Sequence, residues 1–464
     1  MTLPAADKSP LLKPLVMLAI PVLAEHALHI LVGMTDAYVA NNLIRTGGLS
    51  GAALENAHKV NSAAGAAVGS IIYITWLVGL IVSSIGSGAT AIISRAIGAK
   101  HRRLANRVCG QSILAAGVAG IALWAVSGLL AEPLATLTRL PPDAAAYFAS
   151  YIRILCFGFP FAVLMFTANS CLRGAGDTVT PAVAMITVDV VNVALSTSLT
   201  WGLFGMPELG FKGIAIGTTC AYVAGGVLQT AVLLIGRGGI RLFVHRLRPD
   251  WHTIRRILRI GLPSGSEGLL MWIGNFIVLQ TVNSLGAISA TAHTLAIRIE
   301  SLSYMSGFAV ATAVATTVGH NLGAQRPDRA RRAAYIGYGI GAAMMAGLGV
   351  LFVCFSTWWA RLFSDDPAVI EQTARCLFRT GFIQAGFASA IIFGSALRGA
   401  GDTRSVMFLN LVSILILRCG GVYVLGYFGA DLPTIWIILC AELVVRGGLM
   451  YLRFTTGKWM HVKV

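Results

Sequence analysis

The chain has 464 residues, of which 56% are hydrophobic and 12% are charged, and its formal net charge is +16 at pH 7. Soluble globular domains carry about 25% charged residues, so this composition excludes an ordinary soluble domain and indicates a polytopic helical membrane protein. The basic residues cluster between apolar stretches without interleaved aromatic residues, so the charge reflects membrane topology and does not indicate nucleic-acid binding.

Apolar segments long enough to cross about 30 Å of hydrocarbon follow one another along the chain. We predict twelve membrane-spanning helices at residues 14–43, 64–97, 106–131, 143–172, 178–204, 211–236, 259–284, 288–321, 330–355, 368–397, 404–428 and 433–455. Basic connections alternate with acidic or poorly basic ones, which by the positive-inside rule places both termini in the cytoplasm. The polar, basic stretch 237–258 is predicted to be a cytoplasmic linker between two lobes, 1–236 and 259–464.

Two sequence motifs recur along the chain. The octapeptide CLRGAGDT (Cys171–Thr178) returns as ALRGAGDT (Ala396–Thr403), and IGAKHRRLA (Ile97–Ala105) returns at the same spacing as LGAQRPDRA (Leu322–Ala330). Such a repeat indicates two homologous halves. Six spans in each half predict an all-α fold of two six-helix bundles, related by a pseudo-two-fold axis along the membrane normal. Pairs of such bundles most often form an alternating-access carrier.

The repeated octapeptide is interpreted as a cytoplasmic turn and not as a substrate-binding loop. Gly174 and Gly176 are predicted to end one helix, and Asp177 or the following threonine is predicted to cap the next. This interpretation places Arg173 and its counterpart Arg398 at the cytoplasmic surface.

Ionisable residues inside the first half are candidates for ion coupling, because charged groups within a membrane are costly. Glu25, His29 and Asp36 share one stripe of span one. Asp189 and Asn192 share one face of span five, followed one turn later by Ser196; Thr218 lies in span six.

The set Asp36, Asp189, Asn192 and Thr218 is rich in oxygen atoms, which suits Na⁺. A buried carboxyl group can equally carry a proton, so the residues leave Na⁺ and H⁺ open. In the repeat, Val278 occupies the position equivalent to Asp36, and Ile414 occupies the position equivalent to Asp189. The first half therefore has acids that the second half lacks, which favours a functional role for them.

The second half has its own cation or proton candidates, Glu267, Asn275 and Glu300. Glu267 follows Pro263 by four residues, as Glu25 follows Pro21. Alternatively, Glu267 is a helix-terminus residue near the cytoplasmic face. Glu300 is interpreted either as a residue of the central cavity or as a structural partner of an arginine in the same span. Glu442 and Arg446, four residues apart in span twelve, are predicted to form a structural ion pair, and so are Arg298 and Glu300 in span eight.

Several functional classes are disfavoured by what the sequence does not contain. The eight cysteines show no CxxC or Cys/His spacing, so a structural metal is not expected. No Walker A motif is present, which argues against direct use of ATP. No nucleophile–base or metal-ligand motif supports an enzyme, and we expect no cofactor apart from the coupling ion.

The motifs together resemble the bacterial multidrug and toxic compound extrusion (MATE) family. The resemblance rests on both LRGAGDT turns, on GLPSGSEGLL (Gly261–Leu270) and on AHTLAIRIESLSYMSGF (Ala292–Phe308), and it covers essentially the whole chain. It implies a secondary exporter of small organic cations or amphiphilic drugs, driven by H⁺ or Na⁺ and lying in the bacterial inner membrane. We expect a monomer that binds no nucleic acid.

The resemblance also implies roles for individual residues. Asp36 fits the family's aspartate of span one, and Asn192 and Thr218 fit its asparagine and threonine of spans five and six. Ser196 stands where the family has a second aspartate, and Asp189 is expected to substitute for it. The alternative function is a flippase for a lipid-linked oligosaccharide, whose pyrophosphate would require a cationic cavity. The acids of spans one, five and seven favour export.

Overall fold

The computed structural model describes residues 11–46, 50–137, 140–244, 247–462 and 464, without the side chains of residues 29–31, 72, 73, 76, 77 and 137. In this part of the chain the regular structure is helical, apart from one isolated antiparallel bridge between Arg237 and Ile240. The all-α architecture predicted from the composition is therefore confirmed.

The helices of the first half are α1 (Leu12–Asn41), α2 (Ala52–Gly98), α3 (Arg102–Leu129), α4 (Ala131–Leu137), α5 (Pro142–Leu155), α6 (Phe159–Ala175), α7 (Val179–Trp201) and α8 (Phe211–Ile235). A single 3₁₀ turn, Cys156–Gly158, joins α5 to α6, and the two together form the predicted fourth span.

The helices of the second half are α9 (Trp251–Ser284), α10 (Ala287–Gly323), α11 (Pro327–Cys354), α12 (Ser356–Arg361), α13 (Pro367–Gly399), α14 (Thr403–Val412), α15 (Gly421–Tyr427) and α16 (Leu432–Thr455). A π-helical stretch, Ser413–Gly420, links α14 to α15 within the predicted eleventh span. A short 3₁₀ helix, Lys458–His461, follows α16.

Eleven segments of the described chain are long and apolar enough to cross a membrane, and each coincides with a predicted span. The remaining predicted span lies in α9, which is long enough but carries polar residues such as Glu267 and Asn275 along its length. Helix α9 begins at Trp251, so the connection between the halves is shorter than predicted.

The structure divides into two compact units. The N-terminal unit comprises Ala24–Ile93 and Arg102–Gly265. In it α8 packs against α7 and α6, and α6 packs against α3, around Met165, Met185 and Val188.

The C-terminal unit comprises Ser266–Val464, Ser94–His101 and the chain up to Leu23. Helix α13 is central to it and packs against α10, α11 and α16. The tail folds back so that Trp459 is fully buried and stacks on Phe454. The lobe limits 1–236 and 259–464 stay a prediction.

Both copies of the octapeptide form the predicted helix-to-helix turn. Gly176 and Gly401 have φ values of +95° and +86°, the left-handed conformation that favours glycine. Asp177 caps α7, because its carboxylate accepts hydrogen bonds from the backbone N–H (3.0 Å) and the hydroxyl (2.6 Å) of Thr180.

The expectation that Arg173 and Arg398 lie at the cytoplasmic surface is wrong. Their side chains are only 18% and 23% exposed, because each turns inward to a glutamate. A guanidinium group in this environment is stabilised by a carboxylate partner, which the two repeated glutamates supply.

The repeated IGA and LGA stretches meet inside the C-terminal unit, where α2 and α10 end. A Cβ atom on Gly98 would lie 2.0 Å from the carbonyl oxygen of His320, and one on Gly323 would lie 2.0 Å from that of Arg95. These residues occupy equivalent positions in the two repeats, so the contact is reciprocal. Only glycine permits the two backbones to approach so closely.

We therefore expect Gly323→Ala to lower the stability of the protein. The methyl group must displace a backbone carbonyl, and such overpacking costs about 1–3 kcal/mol. Thermal unfolding of the purified protein measures the effect. Gly339→Ala in α11 is the matched control, since nothing lies within 4 Å of its added Cβ. Equal melting temperatures for the two variants would contradict this account of the contact.

Candidate functional site

The carboxylate of Asp36 lies at the centre of a buried polar cluster in the N-terminal unit. Its Oδ2 accepts hydrogen bonds from the hydroxyls of Tyr151 (2.8 Å) and Thr218 (2.7 Å), and its Oδ1 accepts one from the amide Nδ2 of Asn192 (3.1 Å). Four helices, α1, α5, α7 and α8, supply the four side chains. The sequence prediction that Asp36, Asn192 and Thr218 share one site thus agrees with where the structure places them.

The Asp36 cluster is deeply buried and carries a single formal negative charge. Asp36 is 5% exposed and Asn192 is fully buried. Within the described part of the chain, no lysine, arginine or histidine forms an ion pair with Asp36. A carboxylate removed from water without a counter-charge is costly unless donors surround it or it binds a proton or a cation. The arrangement is therefore chemically suited to reversible binding of a small cation.

Three buried acceptor oxygens on α7 lack hydrogen-bond partners among the described residues. They are Oδ1 of Asn192 and both carboxylate oxygens of Asp189, which is 4% exposed. Asp189 lies one turn before Asn192 on α7 but shares no hydrogen bond with the cluster. The residue that does join it is Ser196, whose Oγ accepts from Nδ2 of Asn192 at 3.3 Å.

Tyr151 is the member of this cluster that sequence analysis missed. It lies in α5, and its side chain is 2% exposed. A buried tyrosine normally finds a partner for its hydroxyl, so a tyrosine within an apolar span was the available signal.

Two of the predicted acids form ion pairs with the arginines of the repeated octapeptide. Glu25 accepts from Arg173 (2.8 Å) and from Asn169 (3.3 Å). In the C-terminal unit, Glu267 accepts from Arg398 (2.9 and 3.1 Å) and Asn410 (2.5 Å). The same ion pair is thus built twice, once in each unit.

The remaining candidates of the first span and of α9 are placed differently. The side chain of His29 lies outside the described residues, so the prediction for it stays open. Asn275 shares no hydrogen bond with Glu267; its Oδ1 accepts one from Nη1 of Arg418 at 2.7 Å.

Glu300 of α10 is a second buried acid with uncharged hydrogen-bond partners. It is 8% exposed, and its Oε1 accepts from the hydroxyl of Thr380 at 2.7 Å. Gln384 donates to the backbone oxygen of Thr380 (3.1 Å) and accepts from Ser303 (2.7 Å), which extends the network along α13. Arg298 is exposed on another face of α10 and forms no ion pair with Glu300.

Glu442 of α16 joins two arginines within the C-terminal unit. Its carboxylate lies 2.8 Å from Nη2 of Arg418 and 3.2 Å from Nε of Arg446, and it accepts from Ser413 at 2.7 Å. The predicted Glu442–Arg446 pair is therefore present. Arg418, which sequence analysis missed, lies in the π-helical stretch; the signal was an arginine deep inside an apolar span.

The fold and these buried polar networks define a polytopic membrane transporter. The MatE family model matches residues 57–197 and 263–424, one region in each half. The chain belongs to this family. The resemblance drawn from the sequence motifs is confirmed.

Individual relatives agree with this assignment. The chain is 27% identical to a probable multidrug resistance protein NorM of Thermotoga maritima, over 98% of this chain and 95% of that protein. It is 29% identical to an uncharacterized transporter, YisQ of Bacillus subtilis, over 85% and 87% of the two chains.

Solved structures show the same fold. A MOP superfamily transporter from Pyrococcus furiosus, described as having a binding pocket of reversed polarity that suggests a different function, superposes with a TM-score of 0.86 at 19% identity over 97% of both chains. The MATE transporter VcmN of Vibrio cholerae in its bent form gives 0.85 at 18% identity, over 96% of this chain and 97% of that one. The predicted architecture of twelve helices in two bundles is confirmed.

Proposed function

We propose that the protein is a multidrug exporter that exchanges organic cations or amphiphiles for H⁺ or Na⁺ by alternating access. The observation that carries the proposal is the buried Asp36 carboxylate, held by three uncharged donors from three other helices. The multidrug resistance proteins among the relatives support the class of substrate. Their bacterial origin and the positive-inside rule support an inner-membrane location with cytoplasmic termini.

The donors around Asp36 can adapt to either coupling ion. The hydroxyl of Thr218 lies 3.1 Å from the carbonyl oxygen of Ile214 as well as beside Asp36, so it can donate to that carbonyl and offer its lone pairs to a cation. The free Oδ1 of Asn192 supplies a further acceptor, for Na⁺ or for the proton of a neutral Asp36 after the amide turns. In this proposal, Asp36 binds the ion, and Asn192 and Thr218 rearrange with it.

The other acids take different roles in the proposed mechanism. Glu25 and Glu267 each have an arginine partner, which favours structural roles for both and leaves their charges balanced. The residue that donates a hydrogen bond to Glu300 in the described part of the chain, Thr380, is uncharged, which makes Glu300 the candidate in the C-terminal unit for a second proton or for a cationic substrate. Asp189, which is buried and accepts no hydrogen bond from any described residue, stays a candidate for ion binding together with Asp36.

The flippase alternative requires a cationic site for pyrophosphate. Arg418 and Arg446 are largely buried arginines of the C-terminal unit, but both lie beside Glu442. These three side chains carry a net charge of +1, because one carboxylate lies between two guanidinium groups. In the N-terminal unit, the buried carboxylates of Asp36 and Asp189 form no ion pair with the described residues, so the uncompensated buried charge there is negative. The distribution of buried charge therefore favours export of cations.

We expect purified protein in proteoliposomes to move a fluorescent organic cation severalfold faster when one ion gradient is imposed. Imposing ΔpH and ΔNa⁺ separately distinguishes the two coupling ions, because an antiporter gains driving force only from the ion that it exchanges. Protein-free vesicles under the same gradients are the control for passive redistribution of the dye. A rate insensitive to both gradients would defeat the antiport mechanism.

A further inference from the structure

A basic cavity of about 810 Å³ lies in the N-terminal unit, where the connection that precedes α9 passes the beginning of α3. The helices that carry Asp36 and its partners do not line this cavity, and no step proposed above uses it. Its charged and aromatic lining comprises Arg103, Arg107, Phe243, Arg248, Asp250, Trp251 and His252.

The wall of this cavity is held in place by a buried glutamine. Gln111 of α3 is 3% exposed. Its Nε2 donates to the carbonyl oxygen of Arg248 (2.9 Å), and its Oε1 accepts from the backbone N–H of Asp250 (2.9 Å). A side chain that satisfies one donor and one acceptor of the same segment fixes that segment's path. The cavity is thus a preformed feature of the connection.

The charge of the cavity is positive, because its single acid is already neutralised. Asp250 Oδ2 lies 2.9 Å from Nε of Arg107 and accepts from the hydroxyl of Thr253 (2.5 Å). The hydrogen bonds from Thr253, with the nearby Arg107 guanidinium, hold the pKa of Asp250 below its usual range, so this carboxylate stays ionised at neutral pH. Arg103 and Arg248 are both exposed, and neither has an ion-pair partner among the described residues.

The position of the cavity and its tryptophan indicate which anion it suits. Helix α3 begins at Arg102, so the cavity lies at the level of the cytoplasmic headgroups in the topology proposed above. Trp251 is 76% exposed, and tryptophan is enriched at this level, where its ring contacts lipid while its N–H faces water. Basic pockets at the cytoplasmic ends of spans are typical binding sites for anionic headgroups.

We propose that this cavity binds the phosphate-bearing headgroup of an anionic membrane phospholipid. Arg103 and Arg248 contact the phosphate, and Trp251 lies against the glycerol and the first carbons of the acyl chains. A bound lipid of this kind attaches the connection between the halves to the cytoplasmic leaflet.

Native mass spectrometry of the detergent-purified protein, titrated with phosphatidylglycerol or phosphatidylcholine, tests the proposal. We expect phosphatidylglycerol to bind the protein more tightly than phosphatidylcholine. The double variant Arg103→Gln/Arg248→Gln is expected to weaken phosphatidylglycerol binding by about tenfold, since each arginine near the phosphate contributes severalfold. Trp251→Ala is expected to weaken binding of the lipid but not of inorganic phosphate.

The matched control is Arg331→Gln/Arg332→Gln, which removes the same charge from the cytoplasmic beginning of α11 in the other half. An equal loss in this control would show attraction to surface charge in general and would overturn the site. Equal competition by inorganic phosphate and by phosphatidylglycerol, with no effect of Trp251→Ala, would make the occupant a soluble phosphate and overturn the lipid assignment. Binding is the readout throughout, so a failure of the transport mechanism leaves this test unaffected.

Discussion

Replacing Asp36 with asparagine is expected to reduce gradient-driven export to the level of protein-free vesicles, while the protein still folds. Asparagine has nearly the same volume and keeps one oxygen to accept from Tyr151 and Thr218. It has no negative charge and cannot bind a proton or attract Na⁺. The carrier is then locked in one charge state, so the ion gradient no longer drives its cycle.

Transport and stability must be measured together for Asp36→Asn. Efflux in proteoliposomes reports the coupling, and the melting temperature in detergent reports the fold. Asp189→Asn is the comparison variant that decides whether Asp189 also binds the ion, because it removes an equally buried acid of the same unit that accepts no hydrogen bond from the Asp36 cluster. Unchanged transport by Asp36→Asn would refute the role of this residue. An equal loss in both variants would place Asp189 in the ion site as well.

Sequence analysis expected Asp189 to join Asn192 in the ion site, whereas in the structure Ser196 forms the hydrogen bond to Asn192. Residues three apart on a helix differ by about 60° in direction, whereas residues four apart differ by about 40°. Ser196, four residues after Asn192, therefore faces the cluster more closely than Asp189, three residues before it. In the sequence, both residues lie on the same polar face of the helix as Asn192. Which of them contacts the Asp36 cluster depends on how α7 packs against its neighbours.

The span limits were predictable because they depend on local signals. Apolar length, turn glycines and capping residues lie within a few positions of each helix end, and most predicted ends fall within about four residues of the observed ones. Asp36, Asn192 and Thr218 were predictable as a group because the polar faces of apolar helices pack against one another inside the bundle, away from lipid.

The partners of the charged side chains were not predictable in this way. Arg173 lies in a turn whose glycines and aspartate suggest the cytoplasmic surface, yet its side chain reaches Glu25 on another helix. Arg418 in the eleventh span pairs with Glu442 in the twelfth. Such pairs depend on which helices pack together and on their rotation, and a single sequence does not contain that information directly. The repeat was informative only afterwards, because the Glu25–Arg173 pair recurs as Glu267–Arg398.

Glu442→Gln is expected to cause the largest loss of stability of any single substitution considered for this protein. Glu442 is fully buried and is the acid between Arg418 and Arg446, whose side chains are 11% and 8% exposed. Without it, two guanidinium groups remain in a low-dielectric environment with no carboxylate between them. Breaking a buried ion pair by removing one partner costs about 3–5 kcal/mol, and here two arginines lose the same partner.

Thermal unfolding in detergent measures this loss, and Glu371→Gln is its matched control. Glu371 forms an i,i+4 pair with Arg375 in α13, but both side chains are mostly exposed, so its removal is expected to cost at most about 0.5 kcal/mol. Adding Arg418→Met to Glu442→Gln is expected to recover part of the lost stability, because one uncompensated charge leaves with the arginine. If the double variant unfolds at a lower temperature than Glu442→Gln alone, the loss arises from packing or from the contact of Arg418 with Asn275, and not from unbalanced charge.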